Sequence, residues 1–180
     1  MASEFVIIVP ARAGSSRLPN KPLAQIDGKT LLERVYELAQ SSNATAIYIA
    51  TDNEAIRDHA QLFGAEVIMT SEAHISGMDR VAEASRLIGL SPETHILNLQ
   101  GDEPFMPLEI INTLSSHLSS LTPIATACVP LSNPEEIASP NEVKVVRSLS
   151  KRAMYFSRSV IPHEFTASHD GYLKHLGIYA

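Results

Sequence analysis

The chain has 180 residues, 44% of them hydrophobic, and a formal charge of −6 from 14 Lys+Arg against 20 Asp+Glu. That size supports one substantial core, and no apolar run reaches the ~18 residues of a membrane span. The start Met1-Ala2-Ser3-Glu4 lacks the basic and apolar parts of a secretion signal, and the acidic balance without a basic stripe speaks against nucleic acid, so the expectation is a cytoplasmic protein with neither membrane nor nucleic-acid partner.

Short runs rich in Ile, Val and Leu alternate with helix-period segments. Residues 5–9 read as a strand buried on both faces. Thr30-Leu31-Leu32-Glu33 reads as a capping box that opens a helix, with Leu31, Leu32, Val35, Leu38 and Ala39 on one side. Strands are predicted at 47–50, 67–69, 96–99 and 124–129, and helices between them at 54–63, 79–88 and 107–118. This β-α-β-α-β rhythm predicts an α/β fold, Rossmann-like, with a mainly parallel sheet, helices on both faces and ligands at the carboxyl ends of the strands.

From Pro130 the rhythm changes. Pro130, Pro134, Pro140 and Pro162 break the chain, and 143–147, 154–156 and 177–179 read as short strands of a smaller mixed or antiparallel lobe. The expected organisation is one domain, with a core over 1–129 and the lobe over 130–180. Cys128 is the only cysteine and reads as a buried strand residue; it allows no intrachain disulfide and no thiol metal cluster. The apolar end Gly177-Ile178-Tyr179-Ala180 carries no cap or polar tail, which predicts a chain cut inside a strand.

Directly after the first strand comes Pro10-Ala11-Arg12-Ala13-Gly14-Ser15-Ser16-Arg17-Leu18-Pro19-Asn20-Lys21-Pro22. Gly14, Ser15 and Ser16 let backbone N–H groups approach phosphate oxygens, and Arg12, Arg17 and Lys21 supply charge for a polyanion. A guanidinium grips two oxygens in a plane and an ammonium acts as a mobile point charge, so the mixture suits more than one phosphate. The bland alternative is a solvated basic loop. Neither the Walker pattern nor the dinucleotide glycine turn is present.

A second motif, Gln100-Gly101-Asp102-Glu103-Pro104, places a carboxylate beyond the fourth strand, where it suits a Mg²⁺ ion carrying triphosphate oxygens or, equally, a helix cap. Adjacent parallel strands would bring this loop beside the first one and favour the metal reading. His74-Ile75-Ser76-Gly77-Met78-Asp79-Arg80 is a turn into a helix, in which Ser76 reads as an N-cap and Asp79 favours the dipole. Asp52 ends the second strand and reads as a nucleotide-side group or a helix cap. The seven histidines form no zinc spacing, and no G-x-S-x-G elbow supports a serine hydrolase.

The first motif resembles the N-terminal signature of sugar-activating nucleotidyltransferases, and in detail that of the 3-deoxy-manno-octulosonate (Kdo) cytidylyltransferase, or CMP-Kdo synthetase, family. Gln100-Gly101-Asp102-Glu103-Pro104, Asn141-Glu142-Val143-Lys144-Val145-Val146, Tyr155-Phe156-Ser157-Arg158 and His175-Leu176-Gly177-Ile178-Tyr179 are similar to the same family's segments, in family order. The resemblance implies transfer of CMP from CTP to the anomeric hydroxyl of Kdo with release of pyrophosphate, for lipopolysaccharide biosynthesis, by a Mg²⁺-dependent cytoplasmic homodimer. It implies Ala11, Arg12, Gly14, Ser15, Arg17, Lys21, Ser76 and Arg80 as nucleotide contacts, with Arg12, Lys21 and Asp102 catalytic and Asp102 the metal ligand. It implies Gln100, Arg158, His175 and Tyr179 as sugar contacts, Arg158 on the C1 carboxylate, with Lys144 a weaker candidate.

Two positions depart from the family pattern: Met78 stands where Thr is usual, and Lys174 where Arg commonly precedes the His. The family also continues for several tens of residues, carrying a second metal-binding Asp and a Glu-Gln pair for the sugar, so these 180 residues are expected to be inactive alone. The alternatives are a cytidylyltransferase for 8-amino-Kdo or a sialic-acid-like sugar, and a non-catalytic nucleotide-binding fragment.

Overall fold

A computed structural model of the chain describes residues 4–14, 20–163 and 171–180, which form two compact units. The first covers residues 1–125 and 178–180, the second 126–177, so the division falls four residues before the one expected at 129 and returns the C-terminal residues to the first unit.

In the first unit, β1 (Phe5–Ala11) is an apolar run, β-branched from Val6 to Val9 and buried throughout. A 3-10 turn (Lys21–Leu23) and a two-strand hairpin, β2 (Gln25–Ile26) and β3 (Lys29–Thr30), follow, with Asp27 and Gly28 both at positive φ in the turn. The sequence reading did not find this hairpin, whose strands have two residues each. Next come α1 (Leu31–Gln40), β4 (Ala46–Thr51), α2 (Glu54–Leu62), β5 (Glu66–Met69), α3 (Gly77–Ile88), β6 (His95–Asn98) and α4 (Leu108–Leu114), which tightens into a 3-10 turn (Ser115–His117).

Strand order is β5-β4-β1-β6, parallel throughout, with Ile7 opposite Ile47 on one side and Leu97 on the other. Because side chains alternate along a strand, β1 feeds both faces. Val6 and Ile8 join Ala50 under Val81 and Ala84 of α3, and the alternate residues Ile7, Val9 and Ile49 face the other way, equally buried. Each of these Val and Ile side chains contributes about 1.5–3 kcal/mol on burial. Thr30 caps α1 by accepting from the Glu33 N–H, as the capping-box pattern predicts, and Asn53 caps α2.

The second unit contains β7 (Thr126–Leu131), the short α5 (Pro134–Ala138), β8 (Lys144–Arg147), β9 (Ala153–Ser157) and the first six residues of β10 (Tyr172–Tyr179). β8 pairs antiparallel with β9 and with β10, and β7 also pairs with β10. Proline explains the irregularity: Pro134 starts α5 at a position where its missing N–H costs nothing. Cys128 lies in β7 as expected but is only partly buried, because this strand is half-exposed for most of its length. The last three residues of the chain belong to the first unit, where Tyr179 stands antiparallel to Asn98 of β6.

Candidate active site

Three loops of the first unit meet at the carboxyl edge of its parallel sheet, around Pro10. A Cβ on Gly101 would stand 3.0 Å from the Pro10 carbonyl oxygen, and one on Gly77 3.4 Å from the Pro10 ring. Backbone cannot yield as a flexible side chain can, so glycine at 101 is what lets the turn after β6 close on the end of β1. Gly14, by contrast, has no heavy atom of the described residues within 4 Å of its Cβ position.

That closeness brings two predicted residues together. Lys21 Nζ donates to Asp102 Oδ2 at 2.6 Å, although 81 residues separate them. Asp102 caps no helix: it lies in a turn closed by the Glu103 N–H on the Gln100 carbonyl, and α4 begins only at Leu108. Both side chains stay about 40% exposed, at 39% and 45%, so the pair can open to a ligand at little cost. Arg12 adds a second cation, with Nη1 3.5 Å from the Ile75 carbonyl at the α3 end of the same edge. Ser15 and Arg17 lie outside the described residues.

Among the described residues no group of three or more His, Cys, Asp and Glu side chains converges as a metal cage. Mg²⁺ does not require one. It dehydrates reluctantly, keeps several waters and takes one or two carboxylates plus substrate phosphates, so the part-exposed Asp102 carboxylate beside Lys21 fits such an ion carried by a polyphosphate.

At the start of α3, Ser76 accepts from the Asp79 N–H while Asp79 reaches back to the Ser76 N–H, a complete capping box. The Ser76 hydroxyl also donates to Asp79 Oδ2 at 2.7 Å, and these bonds, the hydroxyl's first, hold the Asp79 carboxyl below its usual range. Arg80 is 2% exposed: it donates to Thr70 Oγ1 at 2.5 Å and to Asp52 Oδ2 at 2.5 Å. It thus ties the first turn of α3 to the ends of β4 and β5. Asp52, read from sequence as a nucleotide-side group or a cap, is the other half of that pair; the cap is Asn53.

Gln100 Nε2 donates to Asn98 Oδ1 at 3.2 Å, and the Asn98 amide points to the Met78 sulfur at 3.9 Å. Asn98, nearly fully buried, is a residue that sequence reasoning missed; its one signal was an amide inside the apolar run Ile96-Leu97-Asn98-Leu99. Burial raises the hydroxyl pKa of Tyr179, on the strand beside it, above its ordinary value.

In the second unit, the His175 ring nitrogen Nε2 lies 2.8 Å from Thr126 Oγ1 and the ring meets Phe156 edge-on at 4.8 Å. Burial lowers its pKa, favouring the neutral ring. Arg158 is exposed and donates from Nη1 to the Pro140 carbonyl at 2.7 Å. Lys144 is completely buried, with its Nζ on three backbone carbonyls, so this arrangement leaves it no contact with a ligand.

A family model described as cytidylyltransferase matches residues 6–180. The 3-deoxy-manno-octulosonate cytidylyltransferase of Idiomarina loihiensis is 42% identical over 187 residues, covering 98% of this chain and 74% of that protein. The enzyme of the same name from Haemophilus influenzae is 42% identical over 188 residues, with the same coverage. Among solved structures, the CMP:2-keto-3-deoxy-manno-octonic acid synthetase complexed with CTP matches with a TM-score of 0.88 at 41% identity, covering 98% of this chain and 73% of that one. A 4-diphosphocytidyl-2C-methyl-D-erythritol synthase, 16% identical with a TM-score of 0.61, shares the fold.

Proposed function

This chain belongs to the cytidylyltransferase family, and on that premise we propose that it transfers CMP from CTP to the anomeric hydroxyl of Kdo, releasing pyrophosphate. The observation that carries the reading is the meeting of Lys21 and Asp102, delivered by the loops after two adjacent parallel strands to one sheet edge. Relatives and the solved synthetase with CTP, similar over nearly the whole chain, support the substrates.

The chemistry needs no covalent enzyme intermediate. The sugar hydroxyl attacks the α-phosphorus in line with the departing pyrophosphate, and the protein's part is alignment and charge stabilisation. Lys21 and Arg12 neutralise phosphate oxygens as negative charge moves onto the leaving group. Lys21 exchanges its carboxylate partner for phosphate when the nucleotide binds, which frees Asp102. Asp102 would hold Mg²⁺, which when bound supplies further positive charge to the triphosphate. The Ala11 backbone and Ser76 at the start of α3 serve the nucleoside, and Gln100 and Tyr179 serve sugar hydroxyls. Arg158 grips the sugar carboxylate, for which a planar guanidinium is suited, and His175, held neutral by burial, serves a hydroxyl. The same reading includes a homodimer, a cytoplasmic location and supply of activated sugar to lipopolysaccharide assembly; among the described residues no helix is long and apolar enough to cross a membrane.

The test is pyrophosphate release by the full-length protein with CTP and Mg²⁺, offering Kdo, 8-amino-Kdo and N-acetylneuraminate in parallel. Release with Kdo, falling at least about a hundredfold in Asp102→Asn, is expected. Release with N-acetylneuraminate alone, or full activity of Asp102→Asn, overturns the reading.

A further inference from the structure

The second unit holds a buried cation to which the proposed mechanism gives no role. Lys144, the first residue of β8, is 0% exposed, and its Nζ donates to the carbonyls of Ser139 at 2.8 Å, Glu142 at 2.8 Å and Arg158 at 2.6 Å. Among the described residues no carboxylate pairs with it. A buried cation without a counter-charge is tolerated only where its donors are satisfied, and here three carbonyls satisfy all three N–H groups.

Which carbonyls they are matters more than their number. Two belong to the turn that leads into β8, and the third belongs to Arg158, just beyond the β8–β9 pairing that sets Lys144 opposite Ser157. The Arg158 guanidinium returns to that same turn, at the Pro140 carbonyl between the two that Lys144 holds. Arg158 is therefore fastened twice to one turn, by its backbone through Lys144 and by its side chain through Pro140. An ion pair of 2.6 Å between Glu142 and Lys174 ties the turn to β10 as well.

We infer that Lys144 is a positioning residue for Arg158: the Lys144–carbonyl clamp fixes the main chain from which the guanidinium is presented to the carboxylate of the acidic sugar. The inference rests on the reading that Arg158 contacts that carboxylate. A lysine that served stability alone would, when replaced, lower the melting temperature and leave the kinetics of the folded enzyme unchanged.

The experiment is steady-state pyrophosphate release by the full-length protein, varying Kdo at saturating CTP and then CTP at saturating Kdo. The variants are Arg158→Ala, Lys144→Met, Lys144→Gln and the double variant Lys144→Met/Arg158→Ala. Arg158→Ala is expected to raise KM for Kdo about tenfold or more, leaving KM for CTP within about twofold. Lys144→Met is expected to raise KM for Kdo by about tenfold with the same selectivity, and Lys144→Gln, which keeps two donors, by less. Added to Arg158→Ala, Lys144→Met should change KM for Kdo by less than about twofold, because the two act through one contact. If Arg158→Ala raises KM for Kdo and Lys144→Met does not, the inference fails while the function stands; if Arg158→Ala leaves it unchanged, the assignment of Arg158 falls and the inference with it. Should Lys144→Met not fold, Lys144→Gln decides by the same criterion.

Discussion

Among the described residues the two most deeply buried cations are held in opposite ways, one in each unit. Arg80, in the first, is held by side chains, a carboxylate and a hydroxyl; Lys144, in the second, is held by backbone alone. The difference follows from the architecture around each. A parallel sheet satisfies its own backbone through the strand ladder, so a buried cation there is free to join strand ends to a helix through side chains. In the second unit the turn before β8 is held by one backbone bond, Glu142 N–H on the Ser139 carbonyl, and a buried lysine adds donors to the Ser139, Glu142 and Arg158 carbonyls.

The sharpest way to break this comparison is Arg80→Met. It strands the Asp52 carboxylate, and a loss of about 3–5 kcal/mol in urea unfolding is expected, with Asp52→Asn in the same chain recovering part of it. A loss below about 1 kcal/mol would mean that the pair contributes nothing beyond an exposed one. Next in size is Gly101→Ala, which sets a methyl group against the Pro10 carbonyl and should cost about 1–3 kcal/mol. Gly14→Ala, whose added methyl meets none of the described residues, should move the urea midpoint little.

Titration separates the units more gently. His175, in the second, has its pKa lowered by burial, so the unfolded chain takes up the proton first on acidification. Its contribution is fully present above the ordinary value of about 6.5 and is lost as pH falls below it. Tyr179, in the first unit, has its pKa raised by burial, so its contribution is present below the ordinary value of about 10 and is lost as pH rises beyond it. His175→Gln should flatten the acid limb of a melting-temperature profile and Tyr179→Phe the alkaline limb. A single variant that flattened both limbs would contradict the separation.

The smallest effect expected is that of Met78→Thr. The Asn98 amide meets sulfur at 3.9 Å, a weak contact at a partly exposed side chain, so stability should change by less than about 0.5 kcal/mol. Any change would show in KM for the sugar, through the orientation of Gln100.

How far the sequence reveals this molecule differs by unit for the same reason. The β-branched runs predicted β1, β4, β5 and β6 within one or two residues, because strands buried on both faces must be apolar throughout. Ser76 and Asp79 announced the start of α3 through local chemistry. The ties between distant segments were not readable: Arg80 and Asp52 are 28 residues apart, and neither residue type implies the other. Asn98 gave only the signal of one amide in an apolar run. Lys144 was recognised within a family-like segment, yet its partners are carbonyls, which every residue carries and no sequence pattern marks. Helix 107–118 was placed correctly but read as uniform, whereas α4 ends at Leu114 and continues as a 3-10 turn.

Cys128 opens a practical route into the second unit. It is the single thiol of the chain and sits part-exposed in β7, so a maleimide dye or a fluorinated tag attaches at one known address without prior removal of competing cysteines. The rate of that attachment, followed by mass spectrometry, becomes a clock for how often β7 loosens, and it can be read with and without sugar in the unaltered protein.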